Sequence, residues 1–274
     1  AQNWSLREDR IPEVPALSPA QALSLFEKAK DSSTRITAIR HLMLAMGDIS
    51  TNEARRRIDA GYTANNPDAL AEEIRRKAIS VLPSAFRSDR PGDPQQYEIA
   101  RLLAMLGADT QEAMEIVAAS IATTSHPTHD AHYLFCLAQM PGPREALRAD
   151  LAAAFLGIDR KLRKARLLTD RNWSVNLRDA LQAQLNFDPA TASSMAQSGD
   201  IPPASAHLLS LLAKDQQSSA AATMSRAETG WTREGIAFVE KHLPSGDLPR
   251  LLPAFRRAWE KEPPLRPHLV NFLA

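Results

Sequence analysis

The chain has 274 residues, of which 44% are hydrophobic and 24% charged, and 33 basic against 32 acidic side chains leave a net charge of +1. This composition is typical of a folded chain of one large or two ordinary domains and excludes a disordered one. The near-neutral total provides no overall field that would attract nucleic acid or an anionic membrane. The single cysteine excludes an internal disulfide, so we expect packing alone to hold the fold.

The first segment of the chain differs from the rest. Residues 1–17, AQNWSLREDRIPEVPAL, contain prolines and no helical pattern, which predicts an extended lead-in that packs Trp4 against the first helices. A disordered linker is the alternative. We expect residues 18–274 to form a single helical domain. Because the chain begins with alanine rather than methionine, we expect a mature product or part of something larger.

Helical spacing of apolar residues runs through the chain, and the alternation typical of a half-buried strand is missing. In one such stripe, Ile99, Leu103 and Leu106 lie on the same face of a helix. The pattern predicts helices over 19–30, 34–47, 51–60, 67–82, 94–106, 110–123, 128–140, 143–157, 159–168, 174–186, 189–197, 203–214, 216–228, 232–242, 248–260 and 265–273.

Capping residues mark many of these helix starts. Ser18 stands before Pro19, and Gln21 follows at the third helical position, which is the pattern of a capping box. The side chain of such a cap accepts a hydrogen bond from an N–H group that the first turn leaves without a partner. Similar caps are predicted at Ser50, Asn66, Asp93, Asp109 and Asp188.

Many short helices joined by short turns predict an all-α fold. We expect an α-solenoid, a HEAT-like array of antiparallel helical hairpins with diverged repeats. The predicted hairpins cover 19–47, 67–106, 110–140 and 203–228. A compact multi-helix bundle is the alternative architecture.

Four stretches of the sequence resemble one known group of helical-repeat proteins. The stretch DSSTRITAIRHLMLAMGDI at 31–49 resembles a HEAT-type helix. Three further stretches follow it, and all four occur in the same order in that group. They are YEIARLLAMLGA at 97–108, HDAHYLFCLAQM at 129–140 and DRNWSVNLRDALQAQLNFDPA at 170–190. The group is the HEAT-repeat region of large secreted proteins of planctomycetes and their relatives. Many of those proteins also carry a β-propeller and a c-type haem domain.

The resemblance covers residues 18–215 and rests on apolar helix patterns. It implies a periplasmic or secreted scaffold that lies between other domains, while a cytoplasmic location stays open. It transfers no catalytic residue. The haem domain of that group needs a Cys-x-x-Cys-His motif, and a chain with one cysteine cannot contain it.

The stretch SHPTHDAHYLFC at 125–136 contains three of the seven histidines and the only cysteine. On a helix that begins near Thr128, the side chains of His129, His132 and Cys136 share one stripe. Imidazole and thiolate together suit zinc or copper(I), so a metal-binding or redox accessory module is one hypothesis. The interpretation that we favour is an inner helix in which Cys136 packs as a small apolar residue.

Two features are candidate partner sites. The basic stretch DRKLRKAR at 159–166 would suit phosphates or an acidic partner, but a solvated helix face is the simpler interpretation. Nucleic acid is disfavoured because no aromatic side chains interleave with the cations. Trp173 and Trp231 stand at predicted helix starts, where a tryptophan either anchors a partner or packs against the next helix. The candidate cations are Arg160, Lys161, Arg163 and Lys164.

The sequence contains no Gly-x-Ser-x-Gly elbow, no His-Glu-x-x-His and no phosphate-binding loop. We therefore expect no catalytic residues, no cofactor and no enzyme activity. The longest apolar run, LAAAFLGI at 151–158, is too short to cross a bilayer, so we expect no membrane insertion. The sequence predicts a non-catalytic scaffold or protein-interaction module of a larger extracytoplasmic protein. Its expected partners are another protein or neighbouring domains.

Overall fold

A computed structural model describes residues 17–47, 61–86 and 92–273. These residues form α-helices joined by short 3-10 turns, with no β-strand in the described ranges, which confirms the predicted all-α class. None of the described helices is both long and apolar enough to cross a membrane. The helices are α1 Pro19–Lys28, α2 Ser32–Ala45, α3 Glu72–Ala85, α4 Pro94–Met105, α5 Gln111–Ala118, α6 Pro127–Leu137, α7 Arg148–Lys164, α8 Trp173–Phe187, α9 Ala190–Ala196, α10 Ala206–Leu209, α11 Lys214–Met224, α12 Arg233–His242, α13 Leu252–Lys261 and α14 Arg266–Leu273.

The structure confirms two of the predicted caps. The Ser18 hydroxyl accepts a hydrogen bond from the Gln21 N–H at 3.4 Å, and the Gln21 side chain accepts one from the Ser18 N–H at 3.0 Å. Asp93 accepts from the Gln95 N–H at 2.8 Å. The predicted helix 51–60, the Ser50 cap and the contact of Trp4 lie outside the described residues.

Other predicted caps are wrong. The side chain that caps α5 belongs to Thr110 and not to Asp109, because the Thr110 hydroxyl accepts the hydrogen bond of the Ala113 N–H at 3.3 Å. Asn66 precedes a 3-10 turn and makes no side-chain cap. The start of α9 likewise has no side-chain cap, and Asp188 instead binds a side chain of α7, Arg148, at 2.7 Å.

The predicted break at Ile158 is also wrong. The sequence predicted separate helices at 143–157 and 159–168, whereas α7 runs without interruption from Arg148 to Lys164. The apolar face of α7 continues across the expected break, since Ile158 is 1% and Leu162 6% exposed. Because this face packs on α6 and α9, tertiary packing decides the length of the helix.

Each helix tends to pack against the helix two places further along the chain. The even-numbered helices contact one another in order, α2 with α4, α4 with α6, and so on to α14. The odd-numbered helices form two such stretches, α1–α3–α5 and α7–α9–α11. Consecutive helices also pair, for example α1 with α2, α5 with α6 and α11 with α12. We call the series α2, α4, α6, α8, α10, α12 and α14 the even row.

One apolar core connects the described helices from Ala22 on α1 to Leu269 on α14. The even row supplies its most buried members, since α4 and α6 each bury eight residues. Cys136 on α6 is fully buried in this core. The core is therefore one connected cluster that includes residues from α1 to α14.

Candidate functional site

The histidines of the stretch 125–136 lie in different surroundings. His126 is the N-cap residue of α6, with its ring Nδ1 2.7 Å from the Thr128 hydroxyl. The half-buried ring of His129 stands over Gly92, where an added Cβ would come within 2.6 Å of the imidazole. Gly92 also has a φ of +94°, so glycine is required there for two reasons. His132 is half-buried.

The two ring nitrogens of His132 both have partners. Nε2 is 3.1 Å from the Tyr97 carbonyl oxygen, which can only accept, so Nε2 carries the hydrogen. Nδ1 therefore accepts a hydrogen bond from the Tyr62 hydroxyl at 3.2 Å. Burial lowers the pKa of His132 to about 4, which keeps the ring neutral near pH 7. This histidine is fixed in one tautomer and connects α6 to α4 and to the 61–71 segment.

Cys136 shares this environment. Its Sγ is 3.6 Å from Nε2 of His132, and burial raises the pKa of the thiol. A metal would need the thiolate and a free imidazole lone pair, but the thiol is held neutral and the lone pair of His132 is already engaged. Within the described ranges, no three His, Cys, Asp or Glu side chains are grouped to hold a metal ion. The geometry favours packing over the metal hypothesis.

The basic stretch of α7 does not present one solvated face. The Lys161 ammonium group donates to the Asp130 carboxylate at 2.5 Å, to the Ser125 hydroxyl at 3.2 Å and to the Ala122 carbonyl. Its side chain is 20% exposed and that of Asp130 is 2% exposed. Lys161 is thus an internal link between α7 and the start of α6, and its assignment as a partner-binding cation is corrected.

The other three candidate cations are exposed, with different neighbours. Arg160 makes an ion pair with Asp200 at 2.6 Å. The Arg163 guanidinium reaches two carbonyl oxygens in the loop before α12, each at 3.4 Å. Lys164 makes no hydrogen bond or ion pair with any part of the chain that the structure describes. Lys164 is therefore the candidate that remains most available to a partner.

The two candidate tryptophans pack within the protein. Trp231 is 1% exposed and meets the Phe255 ring edge-on at 4.9 Å between centroids, so it has no surface for a partner. The indole N–H of Trp173 donates to Asp159 Oδ1 at 2.7 Å. Trp173 is half-buried and joins α8 to α7. Both side chains follow the packing alternative rather than the partner-anchor one.

Asp159 belongs to a buried pair that the sequence did not indicate. Its Oδ2 lies 3.6 Å from His207 Nε2, while His207 Nδ1 faces the Ala204 carbonyl at 3.2 Å. The carbonyl requires the hydrogen on Nδ1, so Nε2 and Oδ2 attract each other only when one of them holds a further proton. Burial raises the pKa of Asp159, against the opposing effect of its Trp173 bond. The two side chains bring α7 and α10 together, but neither Asp159 Oδ2 nor His207 Nε2 makes a hydrogen bond with the described residues.

Arg144 is a second feature that sequence analysis missed. It is 4% exposed, and its guanidinium group donates to the carbonyls of Leu137, Met140 and Gly142 and to the Gln184 side chain. Burial lowers the pKa of Arg144 to about 10, so it stays charged at neutral pH. It binds carbonyls at the carboxyl end of α6, where a cation is favourable, and connects them to α8.

The most exposed part of this region is the turn from α7 to α8. The N–H of Arg166 bonds the Arg163 carbonyl, and the N–H of Leu167 bonds the Leu162 carbonyl, which is a Schellman motif. Arg166 takes the left-handed position of this motif with φ 54°, the one positive φ outside glycine among the described residues. We call the exposed side chains Lys164, Arg166, Leu167, Leu168 and Arg171 the turn surface.

Comparisons with protein-family models, with curated proteins and with solved structures found no match to this chain. The resemblance to planctomycete HEAT regions therefore stays a prediction from the sequence.

Proposed function

We propose that this chain is a non-catalytic α-solenoid scaffold that holds a protein partner along the even row. The observation that carries this proposal is the packing of each even-numbered helix against the next one along the row. In a solenoid each repeat buries its apolar surface only against its neighbours, so a long ordered face stays open to a partner. One connected apolar core also runs from α1 to α14, which is compatible with this arrangement.

The exposed apolar side chains favour the even row as the partner face. Among the described helices, the large apolar residues that remain exposed are Leu44 on α2, Val175 and Phe187 on α8 and Val270 on α14. All of these helices belong to the even row. Partner surfaces combine such apolar positions with a polar surround, whereas the odd-numbered helices offer only polar or small exposed positions.

The buried titratable groups support a structural role. His132, Asp159 and Arg144 each bind groups of the protein itself and connect one helix to another. A catalytic acid or base needs to reach a substrate in a pocket, whereas both ring nitrogens of His132 and the guanidinium group of Arg144 bind groups of the protein itself. We therefore assign them to the rigidity of the array.

A photo-crosslinking experiment tests the partner face. A benzoylphenylalanine is placed at Leu44 or Phe187 on the even row, and at the exposed control positions Glu73 and Ser218 on α3 and α11. In cells that produce the protein, we expect one common adduct from both even-row positions and none from the controls. Adducts from the control positions alone, or from neither set, would contradict the proposed face.

A further inference from the structure

Ten consecutive residues, 163–172, which cover the end of α7 and the turn to α8, are all exposed to solvent. They include four basic side chains, Arg163, Lys164, Arg166 and Arg171, and one acidic side chain, Asp170. The segment therefore carries a local charge of +3 on a protein whose total charge is +1. The cations are concentrated here, although the chain as a whole is nearly neutral.

These cations are not neutralised by the protein. No part of the chain described by the structure makes a hydrogen bond or ion pair with the side chains of Lys164, Arg166 or Arg171. The Asp170 carboxylate caps the turn instead, where Oδ1 accepts a hydrogen bond from the Asn172 N–H at 2.7 Å. The three cations therefore face solvent without an ion-pair partner among the described residues.

Two leucines project from the middle of the same segment. Leu168 is 100% exposed, which means that no other side chain in the described ranges shelters it. Leu167, which follows the left-handed residue Arg166, is 36% exposed. An entirely exposed leucine stands on a convex turn and offers no groove of its own. Whatever covers it has to supply an apolar environment.

We infer that the turn surface docks the protein on an anionic lipid membrane, with Leu167 and Leu168 in the acyl boundary and the cations at the headgroups. Interfacial anchors combine apolar side chains with flanking Lys and Arg in this way, and their affinity grows with both contributions. A standard protein interface instead needs about 20–30 residues on each side, far more than one turn supplies. Docking of this kind is independent of the partner face proposed for the even row.

Vesicle co-sedimentation of the whole chain tests this inference. Vesicles of phosphatidylcholine with phosphatidylglycerol are compared with vesicles of phosphatidylcholine alone at low salt. Each basic side chain near an anionic surface raises the affinity by about fivefold, so the three free cations predict a preference of about 100-fold for anionic vesicles. Binding is expected to weaken steeply as salt is added.

Variants separate the turn surface from other exposed residues. Leu167→Ser combined with Leu168→Ser should reduce binding to anionic vesicles by about tenfold or more, because the apolar contribution is removed. Leu44→Ser, which changes an exposed leucine on α2 at 61% exposure, should leave binding unchanged. Replacement of Arg226 and Arg257 by Gln removes two other unpaired cations that lie outside the turn surface. This charge control should also retain binding to anionic vesicles. Circular dichroism verifies that each variant is folded.

Three results would overturn the inference. The first is absence of binding to anionic vesicles at low salt. The second is binding that the double leucine variant retains in full. The third is retention on the acidic polypeptide poly-L-glutamate without any vesicle binding, which would assign the turn surface to a protein ligand instead.

Discussion

The neutral, half-buried His132 predicts a specific loss of stability in acid. The pKa of its ring falls from 6.5 to about 4 on folding, chiefly because burial disfavours the imidazolium ion. Between these two values the unfolded chain binds a proton that the folded ring excludes. The stabilising contribution is therefore complete above pH 6.5 and is lost as the pH falls towards 4.

The size of this loss follows from proton linkage. Each proton bound only by the unfolded state lowers the free energy of unfolding by about 1.4 kcal/mol per pH unit. For the pKa values of His132, the loss amounts to about 2 kcal/mol at pH 5 and about 3 kcal/mol at pH 4. Such a loss is a large fraction of the stability of an ordinary domain.

Urea unfolding of the wild type and of His132→Gln measures this contribution. Glutamine can donate to the Tyr97 carbonyl and accept from the Tyr62 hydroxyl, as the neutral ring does, but it does not titrate. Between about pH 7 and pH 5, we expect the wild type to lose about 2 kcal/mol more than the variant. Equal losses in the two proteins would refute the claim that folding holds His132 neutral.

Four further results are expected. Arg144→Met leaves buried carbonyl oxygens without a donor and should lower the free energy of unfolding by about 3–5 kcal/mol in urea titrations. A loss under about 1 kcal/mol would contradict the role of Arg144 in linking α6 to α8. Trp173→Phe deprives Asp159 Oδ1 of its donor and should cost about 1–3 kcal/mol by the same assay. Arg166→Gly removes the left-handed strain and should raise thermal stability by about 0.5–1 kcal/mol; a lower melting temperature would refute this. Treatment with a chelator should leave the melting temperature unchanged, because His132 has no free lone pair, and a clear decrease would restore the metal hypothesis.

Features determined by neighbouring residues could be predicted from the sequence. The capping box of Ser18 and Gln21 lies within three residues, so its sequence pattern is sufficient to predict it. Apolar spacing likewise indicated the helices and hence the all-α class. The length of α7 could not be predicted in this way, because burial of Ile158 and Leu162 against other helices carries it past the expected break.

Features that depend on distant residues could not be predicted. Lys161 appeared to be a surface cation because its partner Asp130 is 31 residues away along the chain. Arg144 likewise meets Gln184 across 40 residues. The exposure of Leu168 could not be predicted either, because apolar residues are usually expected to be buried. Only the geometry of the turn places this leucine in solvent. The turn surface could therefore be recognised only from the tertiary structure.

Small-angle X-ray scattering of the whole chain tests the central claim most directly. A compact domain of this length has a radius of gyration of about 19 Å, whereas an array in which the even row extends from α2 to α14 should exceed that value and give an asymmetric distance distribution. A larger radius with a long tail of distances is the result that the account predicts. A radius of about 19 Å with a symmetric distribution would contradict it and would favour a compact helical bundle.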